Sequence, residues 1–157
     1  MTHIRTLPVL LSILVLLAAC SKDDTDTEYP SIDLAFEQAF PVNCDTVYAG
    51  ETFKVVVRLT DNMELGSYSV DIHHNFDHHS HTTEMVQCEL EPEKDPVNPF
   101  VYIEGRDIPE GLKSFTANLP ISVPPDIDKG DYHFMIRVTD KEGWQSLKGF
   151  GIKILER

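Results

Sequence analysis

Five of the seven histidines in this 157-residue chain fall in one short segment, HHNFDHHSH at 73–81. Neutral imidazole is the commonest protein ligand for transition metals, and a nearby carboxylate widens the choice of donors. The segment therefore predicts a metal site, with a solvated, histidine-rich loop as the alternative. The preferred ligands are His73, His78, His81 and the distant His133. The second choices, as ligands or as partners that orient the ligands, are His74, His79 and Asp77.

The start of the chain predicts export. Arg5 precedes an apolar run at 7–17, and small residues follow before Cys20. This pattern is typical of a signal peptide, here 1–19, and the run is shorter than the ~20 apolar residues of a membrane-spanning helix. The sequence LAAC at 17–20 resembles the bacterial lipobox, which implies that Cys20 becomes the lipid-modified first residue of the mature chain. The alternative is an ordinary signal peptide with an incidental cysteine.

Residues 20–29 are expected to be the lipidated cysteine and an acidic tether, and residues 30–157 one folded domain. The sequence SKDD at 21–24 resembles the acidic export signal of Bacteroidota surface lipoproteins. We therefore expect a lipid anchor in the outer membrane of a Gram-negative bacterium, with the domain at the cell surface. A plain solvated linker is the alternative interpretation of the acidic residues.

The charge balance narrows the class of partner. With 13 Lys and Arg against 26 Asp and Glu, the net charge is −13, and it becomes −14 when Arg5 leaves with the signal peptide. Such a surface repels nucleic acid and attracts cations. We therefore expect no nucleic-acid partner, and attachment to the membrane through lipid alone.

Two cysteines remain once Cys20 is assigned to lipid. In an exported protein Cys44 and Cys88 most simply form one disulfide. Alternatively they supply thiolates to the histidines, although structural zinc sites usually have closely spaced cysteines and these lie 44 positions apart. An imidazole-rich site without thiolates suits zinc, copper or nickel, and we expect zinc because it is abundant.

From Pro30 onward, stretches with β character alternate with turn signals, and none shows a helical period of useful length. The predicted strands are 32–36, 52–60, 67–76, 114–123, 132–139 and 145–155, with 83–90 as a weaker candidate. About seven strands in one domain predict an immunoglobulin-like antiparallel β-sandwich, with a small barrel as the alternative.

The position of Tyr132 predicts how the strands pair. It stands at the start of the penultimate strand, as a tyrosine-corner residue does in immunoglobulin-like domains. If Tyr132 faces the core, the alternation of a strand sends His133 outward. The strands 67–76 and 132–139 are then antiparallel neighbours, so that His73 and His133 should meet on the outer face at one end of the sandwich.

Three motifs together carry a resemblance: the lipobox, HHNFDHHSH, and GDYHFxIRVxDxxGW at 130–144. The chain resembles a family of small Bacteroidota lipoproteins with an immunoglobulin-like domain of unknown function. The resemblance extends from about Pro30 to the end, and the histidine-rich motif is its most specific part. It implies the fold and the location, and it implies no activity.

Enzymatic interpretations of the histidines are weak. The HxHxDH motif of metallo-β-lactamase-like hydrolases would require histidine at Asn75, and that fold alternates strands with helices, so we exclude it. Copper-zinc superoxide dismutases are also small sandwiches, but their motifs are absent here, and we expect no catalysis. Oxygen donors at 61–62 (Asp-Asn) and at 140–142 (Asp-Lys-Glu) would suit calcium, although their predicted turns favour a structural role.

We therefore expect a non-catalytic lipoprotein that captures or buffers a transition metal, with an outer-membrane transporter as a partner. The alternative is a protein-binding or glycan-binding sandwich module. In that case the histidines would form a pH-sensitive contact surface, because imidazole ordinarily titrates near pH ~6.5.

Overall fold

The computed structural model describes residues 25–157, which form eight strands in two facing sheets and no helix. The strands are β1 (Ser31–Asp33), β2 (Thr46–Tyr48), β3 (Thr52–Thr60), β4 (Leu65–His74), β5 (Tyr102–Asp107), β6 (Ser114–Ser122), β7 (Gly130–Asp140) and β8 (Gln145–Leu155). The predicted all-β sandwich is confirmed. Within the same range no helix is long and apolar enough to cross a membrane. The predicted signal peptide and Cys20 lie outside the described residues.

The sheet order explains how the site is built. One sheet has the order β1-β3-β6 and the other β2-β8-β7-β4-β5. Neighbouring strands are antiparallel, apart from β2, which runs parallel to β8. In immunoglobulin-like domains the strands C, F and G adjoin in the same way as β4, β7 and β8 do here. The predicted pairing of β4 with β7 is confirmed, because the two strands are antiparallel neighbours in this sheet.

Alternate residues of both sheets form the core between them, as the pleat of a strand requires. From β3 and β6 the core takes Val55, Val57, Leu59, Ala117, Leu119 and Ile121; from the facing sheet it takes Val70, Ile72, Phe134, Ile136, Val138, Phe150, Ile152 and Ile154. Tyr132 belongs to the same face of β7 and is fully buried. Its hydroxyl donates to the backbone oxygen of Asp128 at 2.6 Å and accepts from the amide of Phe100 at 3.1 Å. This is the tyrosine-corner arrangement, and it confirms the predicted inward face of β7.

Two parts of the predicted strand pattern are wrong. Residues 83–90 form an irregular loop, in which Met85 and Val86 are 99% and 71% exposed. Conversely, β2 and β5 are absent from the sequence-based prediction. The strand β2 has only three residues, and β5 is a largely exposed edge strand whose sequence YIEGRD lacks a clear apolar face. Edge strands bury little, so their sequences carry a weak alternation signal.

The long connection between β4 and β5 is tied to the sheet by covalent and hydrogen bonds. Cys88 in this loop forms a disulfide with Cys44, which precedes β2, and their Cα atoms are 5.3 Å apart. The amide of Thr83 donates to the backbone oxygen of Gly149 in β8 at 2.7 Å. Because both sulfurs are in the disulfide, neither cysteine is a thiolate available to the histidines.

Candidate metal centre

Two neighbouring strands place the first pair of imidazoles. His73 in β4 is directly opposite His133 in β7, and their ring centroids are 5.5 Å apart. The pairing follows from the pleat, because the neighbouring pair Ile72 and Phe134 is buried in the core. A pair of histidines is thereby held on the outer side of the sheet at the end from which the long loop leaves.

The loop adds two more imidazoles to this pair. His79 and His81 are separated by one residue, and their ring centroids are 4.9 Å apart. Both rings lie 5.3–5.6 Å from that of His73 and 4.9–5.3 Å from that of His133. We call His73, His79, His81 and His133 the histidine cluster.

Three members of the cluster could hold one metal ion. Each of His73, His79 and His81 offers a ring nitrogen, and these atoms all lie within 4.8 Å of one another. Zinc binds imidazole nitrogen at about 2.0–2.1 Å with tetrahedral geometry, which sets the nitrogens about 3.3 Å apart. Side chains on a loop can adjust to that spacing more easily than His73, which is held on a strand. We call these three residues the three-histidine site.

Two of the three ligand candidates are oriented by carboxylates. Asp71 accepts a hydrogen bond from Nδ1 of His73 at 2.7 Å, and Asp77 accepts one from Nδ1 of His79 at 2.5 Å. The hydrogen bond from His79 lowers the pKa of Asp77. Since a carboxylate can only accept, each ring keeps its lone pair on Nε2. Carboxylate partners of this kind fix the tautomer and raise the basicity of metal-binding histidines.

The sequence predicts His133 as a metal ligand on the outer face, but in the structure the loop covers its ring. Its side chain is 3% exposed, and its Nε2 donates to the backbone oxygen of His79 at 2.8 Å. Burial lowers the pKa of His133 to about 4, so the ring is neutral at pH 7. Its Nδ1 is buried and has no hydrogen-bond partner among residues 25–157. His133 lies outside the three-histidine site and instead holds the backbone of His79 against the sheet.

The other two histidines of the motif lie outside the histidine cluster. His78 has a positive φ of 56°, its Nε2 donates to the backbone oxygen of Glu91 at 2.9 Å, and its ring is not among those that converge. His74 shares the inward parity of Ile72 and packs on Phe76, with ring centroids 5.0 Å apart. The structure therefore brings together His73, His79 and His81, with Asp77 as a hydrogen-bond partner. His78 and His74 do not join this group, although the ring centroid of His74 is 6.2 Å from that of His79.

Sequence reasoning overlooked Asp71, and a repeated spacing could have found it. The pattern Asp-x-His occurs at 71–73 and again at 77–79. At 71–73 the backbone is an extended strand, in which residues two apart point to the same side, so Asp71 can reach the ring of His73. At 77–79 the chain passes through the left-handed residue His78, and Asp77 reaches His79 within the loop. The Asp-x-His spacing within a predicted strand is therefore the signal that points to Asp71.

A glycine in β8 lets the histidine loop lie flat on the sheet. A Cβ atom at Gly149 would stand 2.2 Å from the backbone oxygen of His81, far inside contact distance. The carbonyl of the same glycine also accepts the amide of Thr83. Gly149 is thus required for the close approach of loop and strand that places His79 and His81.

We predict that Gly149→Ala displaces the loop and weakens metal binding by about tenfold or more, equivalent to ~1.4 kcal/mol. The added methyl group cannot be accommodated unless the backbone at His81 moves away from His73. Zinc titration calorimetry measures the effect. Gly105→Ala is the matched control, because it is also a strand glycine and its Cβ would meet only the backbone oxygen of Tyr68, at 4.0 Å. Equal affinity in the two variants would contradict this role of Gly149.

Comparison with known proteins gives a family and two similar folds. Residues 18–155 match a family described as a domain of unknown function, DUF4625. No curated protein matches. The solved GspB Siglec domain is similar over 84% of this chain and 60% of its own, with 21% identity and a TM-score of 0.44. Spo0M, a sporulation control protein from Bacillus subtilis, is similar over 82% of this chain and 49% of its own, with 9% identity and a TM-score of 0.38. The chain thus spans less than two thirds of either structure.

Proposed function

The chain belongs to the DUF4625 family, and for this member we propose a non-catalytic role as a lipid-anchored protein that captures or buffers a transition metal, with zinc as the preferred ion. The observation that carries the proposal is the three-histidine site. Its ligand atoms converge within 4.8 Å, and two of its rings are oriented by carboxylates. Paired Nδ1 and free Nε2 atoms are what a first-row metal needs from imidazole.

The number of ligands suits capture and release. Structural zinc sites usually have four protein ligands, whereas three leave a position for water or for a ligand from another molecule. His73 is fixed on a strand, while His79 and His81 belong to a loop, so that ion binding and loop position are coupled. Such a site can take up an ion and pass it to a second protein through the open position.

The expected lipid anchor and the acidic surface support the location that we propose. A lipid at Cys20 would hold the domain at the outer membrane, and a net charge of −13 attracts cations to it. An outer-membrane transporter is the partner that this role implies. If the ion is not bound, the alternative is a protein-binding or glycan-binding module that uses the histidines as a contact surface.

Zinc titration of the full-length protein in detergent micelles tests the proposal. We expect one zinc ion per chain at pH 7, with a dissociation constant below about 10 μM, which corresponds to roughly −7 kcal/mol. Binding should weaken at pH 5.5, because protons compete with the metal for imidazole nitrogens. Cobalt substitution provides an independent readout, since its visible absorption reports coordination number and geometry.

Two adjacent histidines provide a matched pair of variants. His79→Ala should abolish cobalt absorption and weaken zinc binding by about 100-fold, or ~2.7 kcal/mol. His78→Ala changes the same residue type one position earlier and should leave both unchanged, because His78 lies outside the three-histidine site and contacts the backbone of Glu91 instead. Zinc uptake that is absent below 10 μM, or equally affected by the two variants, would refute the proposed site and favour the contact-surface alternative.

A further inference from the structure

A second group of potential ligand side chains lies at the end of β4 and β7 that is opposite to the histidine cluster. Asp26 precedes β1, Asp61 follows β3, and Asp140 ends β7. Each offers a carboxylate oxygen, and these atoms all lie within 4.8 Å of one another. Asp61 and Asp140 belong to the oxygen donors that the sequence places in turns, whereas Asp26 lies in the predicted tether, and nothing in the sequence connects it with them.

In all three carboxylates, one oxygen is hydrogen-bonded and the other is not. In each, Oδ1 accepts hydrogen bonds from nearby N–H groups at 2.7–3.1 Å. In each, Oδ2 is buried and has no hydrogen-bond partner within residues 25–157. The side chains of Asp26 and Asp140 are only 5% and 4% exposed. A buried carboxylate oxygen without a partner is costly, and a bound cation would offset this cost for all three at once.

Basic side chains do not supply this charge. Lys141 is adjacent in sequence to Asp140, but its ammonium group faces Glu64 and Glu110, each at 3.7 Å. None of the ion pairs formed within the described part of the chain includes Asp26, Asp61 or Asp140. The three carboxylates therefore converge without a cationic side chain from the described residues.

We propose that Asp26, Asp61 and Asp140 form a calcium site, distinct from the three-histidine site. An all-oxygen donor set selects a hard cation over zinc or copper. Three protein carboxylates suit Ca²⁺ better than Mg²⁺, because Mg²⁺ retains most of its water and usually binds one or two carboxylates. Backbone carbonyls and water complete the six to eight oxygens that Ca²⁺ takes.

Calcium at this point would fasten the N-terminal segment to the sandwich. The ion would join Asp26 to two turns that belong to opposite sheets, after β3 and after β7. Trp144 lies at the same junction, since its amide donates to Asp140 at 2.8 Å and its indole Nε1 donates to the backbone oxygen of Asp26 at 3.1 Å. It is the single tryptophan of the chain.

The position of Trp144 permits a direct test with terbium, a luminescent substitute for Ca²⁺. In the full-length protein in detergent, excitation of the indole should sensitise terbium emission, and this emission should saturate at one ion per chain. Added Ca²⁺ should displace the ion with a midpoint between about 10 μM and 1 mM, as in many sensor and extracellular calcium sites. Emission reports an ion beside Trp144, so ions bound loosely elsewhere on the acidic surface do not contribute.

Isosteric variants separate the carboxylate charge from the turn hydrogen bonds. Asp26→Asn and Asp140→Asn keep an oxygen for the N–H groups and should each weaken Ca²⁺ binding at least tenfold in calorimetry. Asp128→Asn is the matched control, because Asp128 also accepts two backbone amides, at 2.7 Å each, in another turn. His73→Ala should leave Ca²⁺ binding unchanged, which keeps this test independent of the zinc site.

Wild-type protein alone can also decide the question if a variant fails to fold. Saturating Ca²⁺ should raise the thermal unfolding midpoint by several degrees relative to the protein in chelator. Any one of three results would overturn the proposal: an unshifted midpoint, terbium emission that Ca²⁺ does not displace, or unchanged Ca²⁺ affinity in a folded Asp140→Asn protein.

Discussion

His73→Ala is expected to lower zinc affinity by about 100-fold or more, equivalent to at least ~2.7 kcal/mol. His73 is the ligand candidate that a strand holds in place, and the loop histidines converge on it. Removal of its ring leaves two donors from a single loop, fewer than the three or four protein ligands of zinc sites. Calorimetry at pH 7 measures the loss, and the absence of tetrahedral cobalt absorption identifies its cause.

A second substitution tests the orientation of the same ring without removing it. Asp71→Ala deletes the carboxylate that accepts from Nδ1 of His73 and should cost 10- to 100-fold in zinc affinity. Ser69→Ala is the control, because Ser69 lies two residues earlier on the same face of β4. Zinc affinity that survives His73→Ala would exclude His73 as a ligand, and equal effects of Asp71→Ala and Ser69→Ala would exclude an orienting role for Asp71.

The second large expected effect concerns the disulfide. Replacement of both Cys44 and Cys88 by serine should lower the free energy of unfolding by about 4 kcal/mol, because the bond closes a 44-residue stretch of chain and restricts the unfolded state. The unfolding midpoint should fall by on the order of 10 °C. Urea denaturation monitored by Trp144 fluorescence measures the difference.

Reductant provides the control for this prediction. The oxidised wild-type protein should approach the stability of the double serine variant when it is reduced, and the variant should not respond to reductant. The free energy of zinc binding should change less than the free energy of unfolding, because Thr83 and His133 still hold the loop through hydrogen bonds to Gly149 and His79. A variant as stable as the oxidised wild type would show that the disulfide leaves the unfolded state unrestricted.

Most of the strands could be predicted because burial of one face requires apolar residues at every second position of the sequence. Tyr132, Phe134, Ile136 and Val138 recur at every second position, and their parity fixes which side of β7 His133 occupies. The same reasoning applied to β4 places His73 opposite it, and the register shows this pair. The exposed strand β5 and the three-residue strand β2 bury too few side chains to show this alternation.

The loop could not be predicted in the same way, because its conformation depends on contacts with distant residues. The left-handed backbone at His78 separates its ring from those of its neighbours, and no periodicity indicates such a residue. The close approach at Gly149 decides where His79 and His81 lie, yet Gly149 is 68 positions beyond His81 in the chain. Asp26 is missed for a related reason: a charged segment resembles a solvated tether until its partners are known.

The paired strands β4 and β7 also set the distance between the two candidate sites. From Leu65, opposite Asp140, to His73, opposite His133, β4 rises roughly 27 Å at ~3.4 Å per residue. Asp26 lies at the Asp140 end, only six positions after Cys20. A lipid on Cys20 would therefore turn the aspartate end toward the bilayer and present the imidazoles on the far tip, facing incoming solutes and clear of the headgroups.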